Sequence, residues 1–161
     1  MKRSIAILSL LLLALVAGAQ EGKDIYNRYS GRKGVSAVYI SPTMFSMIRT
    51  IPDIQVRTEE VNLGNIIKTF DGMYILDVEN PDLASELSAE VEKMVGQGRY
   101  ELLMEAVEEG ETMHIYIVRD GDTVTDFIML VHEPGSASVI SITGSMPMEE
   151  LSKIVASASE S

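Results

Sequence analysis

The sequence predicts a single α+β domain in which βα units pack on a four-stranded antiparallel meander, with a C-terminal helix. Two patterns lead to this fold class. Four β-rich runs between Tyr100 and Thr143 are separated by short turn signals, which is typical of an antiparallel meander. Before them, β-rich runs are followed by segments that start with a proline. Proline is typical of the first turn of a helix, because the N–H that it lacks would have no partner within the helix there. This order is a common way to begin a helix, although a faint duplication of βα units stays an open alternative.

The first 19 residues have the features of an export signal. Lys2 and Arg3 precede an apolar run at residues 5–16, which is shorter than the roughly 20 residues that a membrane span needs. Ala17-Gly18-Ala19 supplies the small residues that signal peptidase accepts. We therefore expect three segments: a cleaved signal at residues 1–19, a single α+β domain at residues 20–156 and a disordered tail at residues 157–161.

Composition limits where the protein acts and what it binds. The chain has no cysteine, which excludes disulfides and a cysteine-linked lipid anchor. Removal of Lys2 and Arg3 with the signal leaves 11 basic against 24 acidic residues. Nucleic-acid binding requires clustered basic residues. We expect an exported, non-lipidated protein of the periplasm or extracellular space, with no nucleic-acid partner and no stable membrane anchor after signal cleavage.

The elements outside the meander follow from periodicity and caps. The clearest helix begins at Pro81, carries apolar residues at helical spacing and ends at Gly96. Residues 52–62 have no clear period. The remaining predictions are a helix at residues 24–30, a strand at 35–40, a helix from Pro42 capped by Ser41, a short helix at 63–70, a strand at 73–78 after an Asp71-Gly72 turn, and a closing helix at 147–155.

The predicted meander has one core face and one apolar second face. Two-residue turns are expected at Glu109-Gly110, Asp120-Gly121 and Pro134-Gly135. The register that they imply places these residues on the core face: Tyr100, Leu102, Met104, Ala106, Met113, Ile115, Ile117, Val124, Ile128, Leu130 and Val139. The second face carries eight large apolar residues, which we predict to form a binding surface: Leu103, Tyr116, Val118, Phe127, Met129, Val131, Ile140 and Ile142. Its cover could be the N-terminal segment, the closing helix with Leu151 and Ile154, or a second protein chain.

The polar residues do not assemble into a catalytic or metal-binding set. The predicted register puts His114 and His132 on opposite faces and places His114 opposite Glu105, as an ordinary cross-strand contact. Asp126 interrupts the core face without a second positioned group. The segment from Asp120 lacks the glycine and glutamate of a calcium loop. We predict no catalytic residue, no cofactor and no metal site; Cu(I) held by methionine thioethers is the open alternative, since nine methionines remain after Met1 is removed.

Several segments resemble one family across nearly the whole mature chain. They are VSAVYISPTMFSMI, DGMYILDVEN, YELLMEAVEEGETMHIYIVRDGD with the following DFIMLV, and SVISITGSMPMEELSKI. Together with the export signal they resemble the Bacteroidota secreted family named domain of unknown function 4252. The resemblance implies an exported α+β protein and carries no catalytic residues.

The function predicted from these observations is that of an exported, non-catalytic bacterial envelope protein. It would bind a partner protein or peptide, or associate with itself, through the second sheet face. The alternatives are a small-ligand or Cu(I) carrier and an undiscovered hydrolase.

Overall fold

The structure is a computed structural model that describes residues 21–50, 57–58, 61–62 and 70–152. The helices are α1 (Glu21–Tyr29), α2 (Pro42–Thr50) and α3 (Pro81–Val95). The strands are β1 (Val35–Ile40), β2 (Arg57–Thr58), β3 (Val61–Asn62), β4 (Phe70–Val78), β5 (Glu101–Glu108), β6 (Glu111–Asp120), β7 (Thr123–Glu133) and β8 (Ser136–Pro147). Residues 148–152 are helical and are called the closing helix below. Within these ranges, no helix is long and apolar enough to cross a membrane.

One antiparallel sheet of six strands organises the molecule, in the order β1-β4-β8-β7-β6-β5. The α+β class and the meander, β5 to β8, are confirmed. The predicted count of four strands is wrong because β4 pairs with the free edge of β8, and β1 pairs with β4. A strand edge exposes unpaired backbone groups, so an adjacent extended segment is stabilised by joining it. A separate two-stranded ladder joins β2 and β3.

Helices α1 and α3 cover one side of this sheet, called the helix face. Helix α3 begins at Pro81 as predicted, and Asn80 caps it, since the Leu83 N–H donates to Asn80 Oδ1 at 3.0 Å. The helix buries its apolar stripe on β4, β7 and β8. This core comprises Ile25, Tyr29, Leu76, Val78, Ala84, Leu87, Val91, Val95, Ile128, Leu130, Ala137 and Val139.

A second, smaller core lies at one end of the opposite side of the sheet. Phe45 of α2 packs edge-on against Phe70, with ring centroids 5.4 Å apart. Leu151 of the closing helix is buried with Ile117, Val124 and Met146. Strand β8 continues through Pro147, so the predicted start of the closing helix at that proline is wrong by one residue.

Several predicted features lie outside the described residues. They are the signal at residues 1–19, residues 63–69 of the short helix before β4, the end of the closing helix with Ile154, and the tail at residues 157–161. Phe70, which ended that short helix in the prediction, belongs to β4. Asp71-Gly72 forms no chain reversal, because the strand runs through it with a bulge.

Candidate functional site

A β-bulge at Thr125 decides which side chains of the meander share a face. Strands β6 and β7 pair as Arg119↔Val124 near the turn but as Val118↔Asp126 beyond it, so Thr125 has no partner on β6. A shift of one residue inverts the faces of one strand relative to its neighbour. The predicted register assumed an unbroken ladder and is wrong for β6 against β7. The predicted register of β7 against β8 is confirmed from Asp126 to the turn.

The predicted binding surface is therefore divided between the two sides of the sheet. Tyr116 and Val118 pair with residues of the helix face. Leu103 lies at a second bulge, in β5, and is exposed. The other five residues share the side opposite the helices: Phe127, Met129, Val131, Ile140 and Ile142.

Two apolar rows cross the side of the sheet opposite α1 and α3, and we call this surface the apolar face. Each row takes one residue from every strand through the antiparallel register. The first row consists of Met104, Ile115, Met129, Ile140, Ile75 and Val38. The second is apolar except for the glutamate on β5, and consists of Glu101, Ile117, Phe127, Ile142, Met73 and Ile40. Cross-strand neighbours lie within contact distance, so each row is a continuous strip of side chains.

Burial differs sharply between the two sides of the central strands. Along β7, the helix-face residues Ile128 and Leu130 are each 1% exposed, whereas Met129 and Val131 between them are only partly buried. The same alternation occurs along β8. The second core covers one end of the apolar face, and the centre keeps large apolar side chains partly in contact with solvent. Such a surface is typical of an interaction site.

Met73 and Ile75 belong to this face and were not predicted as part of it. Their signal was present in the sequence, because β4 is apolar at four consecutive positions from Met73 to Leu76. Strands with contacts on both sides show such continuous apolar runs rather than alternation. Strand β4 was assigned to a separate βα unit, which concealed its place beside β8.

Methionines are frequent on the apolar face. Met73, Met104, Met113 and Met129 all point to it. Their flexible thioether chains suit surfaces that adapt to a partner. In the described register, each faces an isoleucine, valine or alanine on the neighbouring strands rather than another methionine. A shared soft-metal site requires thioethers that converge on one ion, so this spacing gives the Cu(I) alternative little support.

Comparison with protein families gives a single assignment. The model of the domain of unknown function DUF4252 matches residues 29–154, which is more than half of the chain. The chain belongs to the DUF4252 family. Comparisons with curated proteins and with solved structures find no match.

The DUF4252 domain also buries a polar group beneath its helices. Asp126 is 7% exposed on the helix face and accepts a hydrogen bond from the Thr125 hydroxyl at 2.8 Å. Burial raises the pKa of the Asp126 carboxyl above its ordinary value, although the Thr125 hydrogen bond and the Arg99 charge lower it in part. Tyr100 lies close enough to interact with this carboxyl electrostatically. The pKa of its phenol is raised mainly by burial and to a smaller extent by the Asp126 charge. Asp126 therefore lies next to the bulge, hydrogen-bonded to Thr125 and close to the ionisable groups Tyr100 and Arg99.

The two histidines of the domain share the helix face, so their predicted separation is wrong. His114 pairs with Leu130, and Thr112 pairs with His132. The predicted contact of His114 with Glu105 is confirmed, at 2.8 Å between Nε2 and Oε2. His132 Nδ1 instead lies 2.9 Å from Ser88 Oγ. Each imidazole thus has its own partner, and no group of three or more acidic or histidine side chains in the described ranges is placed to hold a metal.

A ladder of opposite charges joins α1 and its following turn to α3. The Tyr29 hydroxyl donates to Glu90 Oε2 at 2.8 Å, and Arg32 binds Glu86 with a shortest contact of 2.7 Å. Arg28 forms an ion pair with Glu90. A cleft of about 230 Å³ lies between α1 and α3 and is lined mainly by charged residues, which include Glu21 of α1 and Lys93 of α3. These pairs orient α1 on the helix face, and exposed pairs of this kind add little stability individually.

Proposed function

We propose that the DUF4252 domain is an exported, non-catalytic envelope protein that binds a partner protein or peptide on its apolar face. The observation that carries this proposal is the pair of rows across the sheet, apolar on all six strands in the first row and on five in the second, with partly exposed residues at their centre. A sheet face in contact with water alone alternates toward polar residues. The partner would place apolar side chains over Met129, Ile140 and Ile75.

The chemistry of the remaining polar groups supports a binding role over catalysis. Asp126 is hydrogen-bonded to Thr125, whereas His114 and His132 interact with Glu105 and Ser88, so these three residues do not form one pair or triad. General acid–base catalysis normally needs two groups on one reacting centre. The hydrolase and the small-ligand carrier therefore stay secondary proposals, with no specific geometry in their favour.

Site-specific photo-crosslinking tests the proposed surface. A photoreactive residue at Met129 or Ile140 should give one discrete, saturable adduct in the cells that produce the protein. The same residue at Lys93, an exposed position on α3, should not give that adduct. Once the adduct is identified and purified, Met129→Glu should weaken its binding at least tenfold, which corresponds to about 1.4 kcal/mol.

Stability measurements distinguish a partner site from an internal core. If Met129 contacts solvent in the free protein and a partner in the complex, Met129→Ser should lower the free energy of unfolding of the free protein only modestly. The matched control is Leu130→Ser on the helix face, which should destabilise strongly because it buries a hydroxyl among apolar side chains. Equal and large losses for both variants, with no change in partner binding, would show that the apolar face is ordinary core.

A further inference from the structure

Strand β1 is an edge of the sheet that nothing in the described part of the chain pairs with on its outer side. Its residues Val38 and Tyr39 are 49% and 48% exposed. The strand pairs with β4 through six consecutive residue pairs without a bulge, so its outer edge is straight and regular. A regular free edge presents a row of backbone donors and acceptors to a further strand.

The opposite edge, β5, shows how this sheet blocks such pairing. Leu103 forms a bulge there, and three glutamates, Glu101, Glu105 and Glu108, stand along the strand. Bulges and charges are the usual devices that prevent strand addition. Strand β1, with the sequence VSAVYI, has no charge, no proline and no bulge. The two edges of one sheet therefore differ in whether they accept another strand.

We infer that β1 is a self-association edge, at which two copies of this chain join their β1 strands in antiparallel order about a twofold axis. Antiparallel partners share a face of the sheet, so residues of equal parity must pair. When Val38 lies opposite Val38 of the second copy, Tyr39 lies opposite Ala37 and Ser36 lies opposite Ile40. A large ring then faces a methyl group, which avoids a clash between two large side chains.

This register also continues the packing already present in each copy. Val38 ends the first row of the apolar face, so the first row of one copy would continue across the twofold axis into the first row of the other copy. On the other side, Tyr39 is stacked on Tyr74 with ring centroids 4.9 Å apart, and Tyr26 lies 5.3 Å from Tyr74. The stack holds the Tyr39 ring in place beside the edge, which lowers the entropy cost of ordering it in a dimer.

Charge and size set the expected strength of the dimer. The chain carries a net charge of −11, which opposes association. No charged residue lies in β1 itself, and charges farther than about 8 Å are largely screened at physiological salt. In this register five residues of each β1 strand are paired, 36–40, so the interface is small, below the roughly 800 Å² per partner of standard complexes. We therefore expect a reversible dimer. The inference does not rest on the proposed function, because strand addition uses the outer backbone groups of β1, whereas the proposed partner binds the side chains at the centre of the apolar face.

The absence of cysteine makes a direct test practicable. Val38→Cys places one thiol opposite its own copy at the twofold axis, so mild oxidation should produce a disulfide-linked dimer. The matched control is Val107→Cys, on the blocked edge β5, where the side chain is 67% exposed. Equal or faster dimer formation by the control would overturn the inference.

A charge-swap experiment gives a second, independent readout. Val38→Lys and Val38→Glu each place like charges directly opposite one another and should weaken the wild-type dimer at least tenfold by sedimentation. Mixed in equal amounts, the two variants should form a heterodimer, because the charges are then opposite. Circular dichroism of each variant checks that it is folded. A wild-type chain that sediments as a monomer at several hundred micromolar protein, or a mixture that stays monomeric, would refute the assignment.

Discussion

Gly22 shows at the residue scale how closely α1 approaches the sheet. A Cβ at this position would lie 1.9 Å from Ser141 Oγ and 2.7 Å from Ser141 Cβ. Rotation of the hydroxyl alone cannot relieve the second contact, since the β-carbon is fixed by the backbone. Helix α1 can therefore keep this position only with glycine at residue 22, because every other residue has a β-carbon.

Gly22→Ala should destabilise the protein by about 1–3 kcal/mol through overpacking, although alanine favours helix formation by about 1 kcal/mol elsewhere. Urea denaturation measures the change. Gly31→Ala is the matched control, because beyond residues 30–32 no heavy atom lies within 4 Å of the position that a β-carbon would take there. Adding Ser141→Gly to Gly22→Ala should recover part of the loss; a neutral Gly22→Ala would contradict the close approach.

Asp126 predicts a specific pH dependence at the same scale. Its folded-state pKa lies above the ordinary 3.8, mainly because of burial. Between these two values the folded state holds more protons than the unfolded state, so the free energy of unfolding falls as pH rises through that interval. Below the ordinary pKa of 3.8, the protonated carboxyl makes its full contribution to the free energy of unfolding.

Asp126→Asn removes this titration and should gain stability relative to the wild type as pH rises from the ordinary pKa of 3.8 through the raised folded-state pKa. Denaturant unfolding at several pH values gives the difference between the two proteins, in which the titration of the other carboxyls cancels. Parallel profiles for the two proteins would mean that Asp126 titrates normally.

At the scale of the elements, two of the three hairpin turns of the meander lie where the sequence predicted them. Glu109-Gly110 joins β5 to β6 and Pro134-Gly135 joins β7 to β8. The middle turn is Gly121-Asp122, one residue later than predicted, since Asp120 pairs with Thr123. Gly121 has a positive φ of 59°, which suits the first central position of a two-residue hairpin turn.

The first hairpin contains a backbone conformation that its residue type disfavours. Glu109 has φ of 45° and Gly110 has φ of 93°, the pattern in which asparagine followed by glycine is preferred. Glu109→Asn should therefore stabilise the protein by about 1 kcal/mol, since a left-handed glutamate costs roughly 1–2 kcal/mol. Thermal and denaturant unfolding check this, with Glu108→Asn in the adjoining strand as the control. No gain at position 109 relative to 108 would count against the assigned turn.

At the scale of the whole molecule, the described ranges form two layers, the sheet and the helices on one side of it. No helix in these ranges covers the centre of the other side. Helices α1 and α3 bury the helix face, and the second core covers one end of the apolar face. Domains are stable when each apolar face meets another layer. A binding partner would supply the missing contacts, and the β1 edge would extend the same sheet into a second copy.

At the same scale, the predicted export of the chain decides where such a partner would be found. We predict that the mature protein begins at Gln20 and is recovered outside the cytoplasm without lipid, because the signal pattern ends at Ala19 and no cysteine follows. Intact-mass measurement of the purified protein and fractionation of the producing cells give the answer. A mass that includes Met1 through Ala19 would exclude cleavage at this site.

The sequence by itself determined the fold class, the meander, the helix that begins at Pro81 and the presence of large apolar residues on both faces of the meander. These features depend on neighbouring residues: turn pairs, caps and hydrophobic periodicity act within a few positions along the chain. The contact between Glu105 and His114 followed in the same way, because it lies close to a correctly placed turn.

Tertiary structure alone decided which apolar residues share a face and how wide the sheet is. The bulges at Leu103 and Thr125 each shift a ladder by one residue, and the sequence carries no local signal for where a strand admits an extra residue. The pairing of β4 with β8 joins segments far apart in the chain, such as Phe70 with Gly144. Such pairing is selected by the packing of both faces at once, and periodicity within either segment does not contain that information.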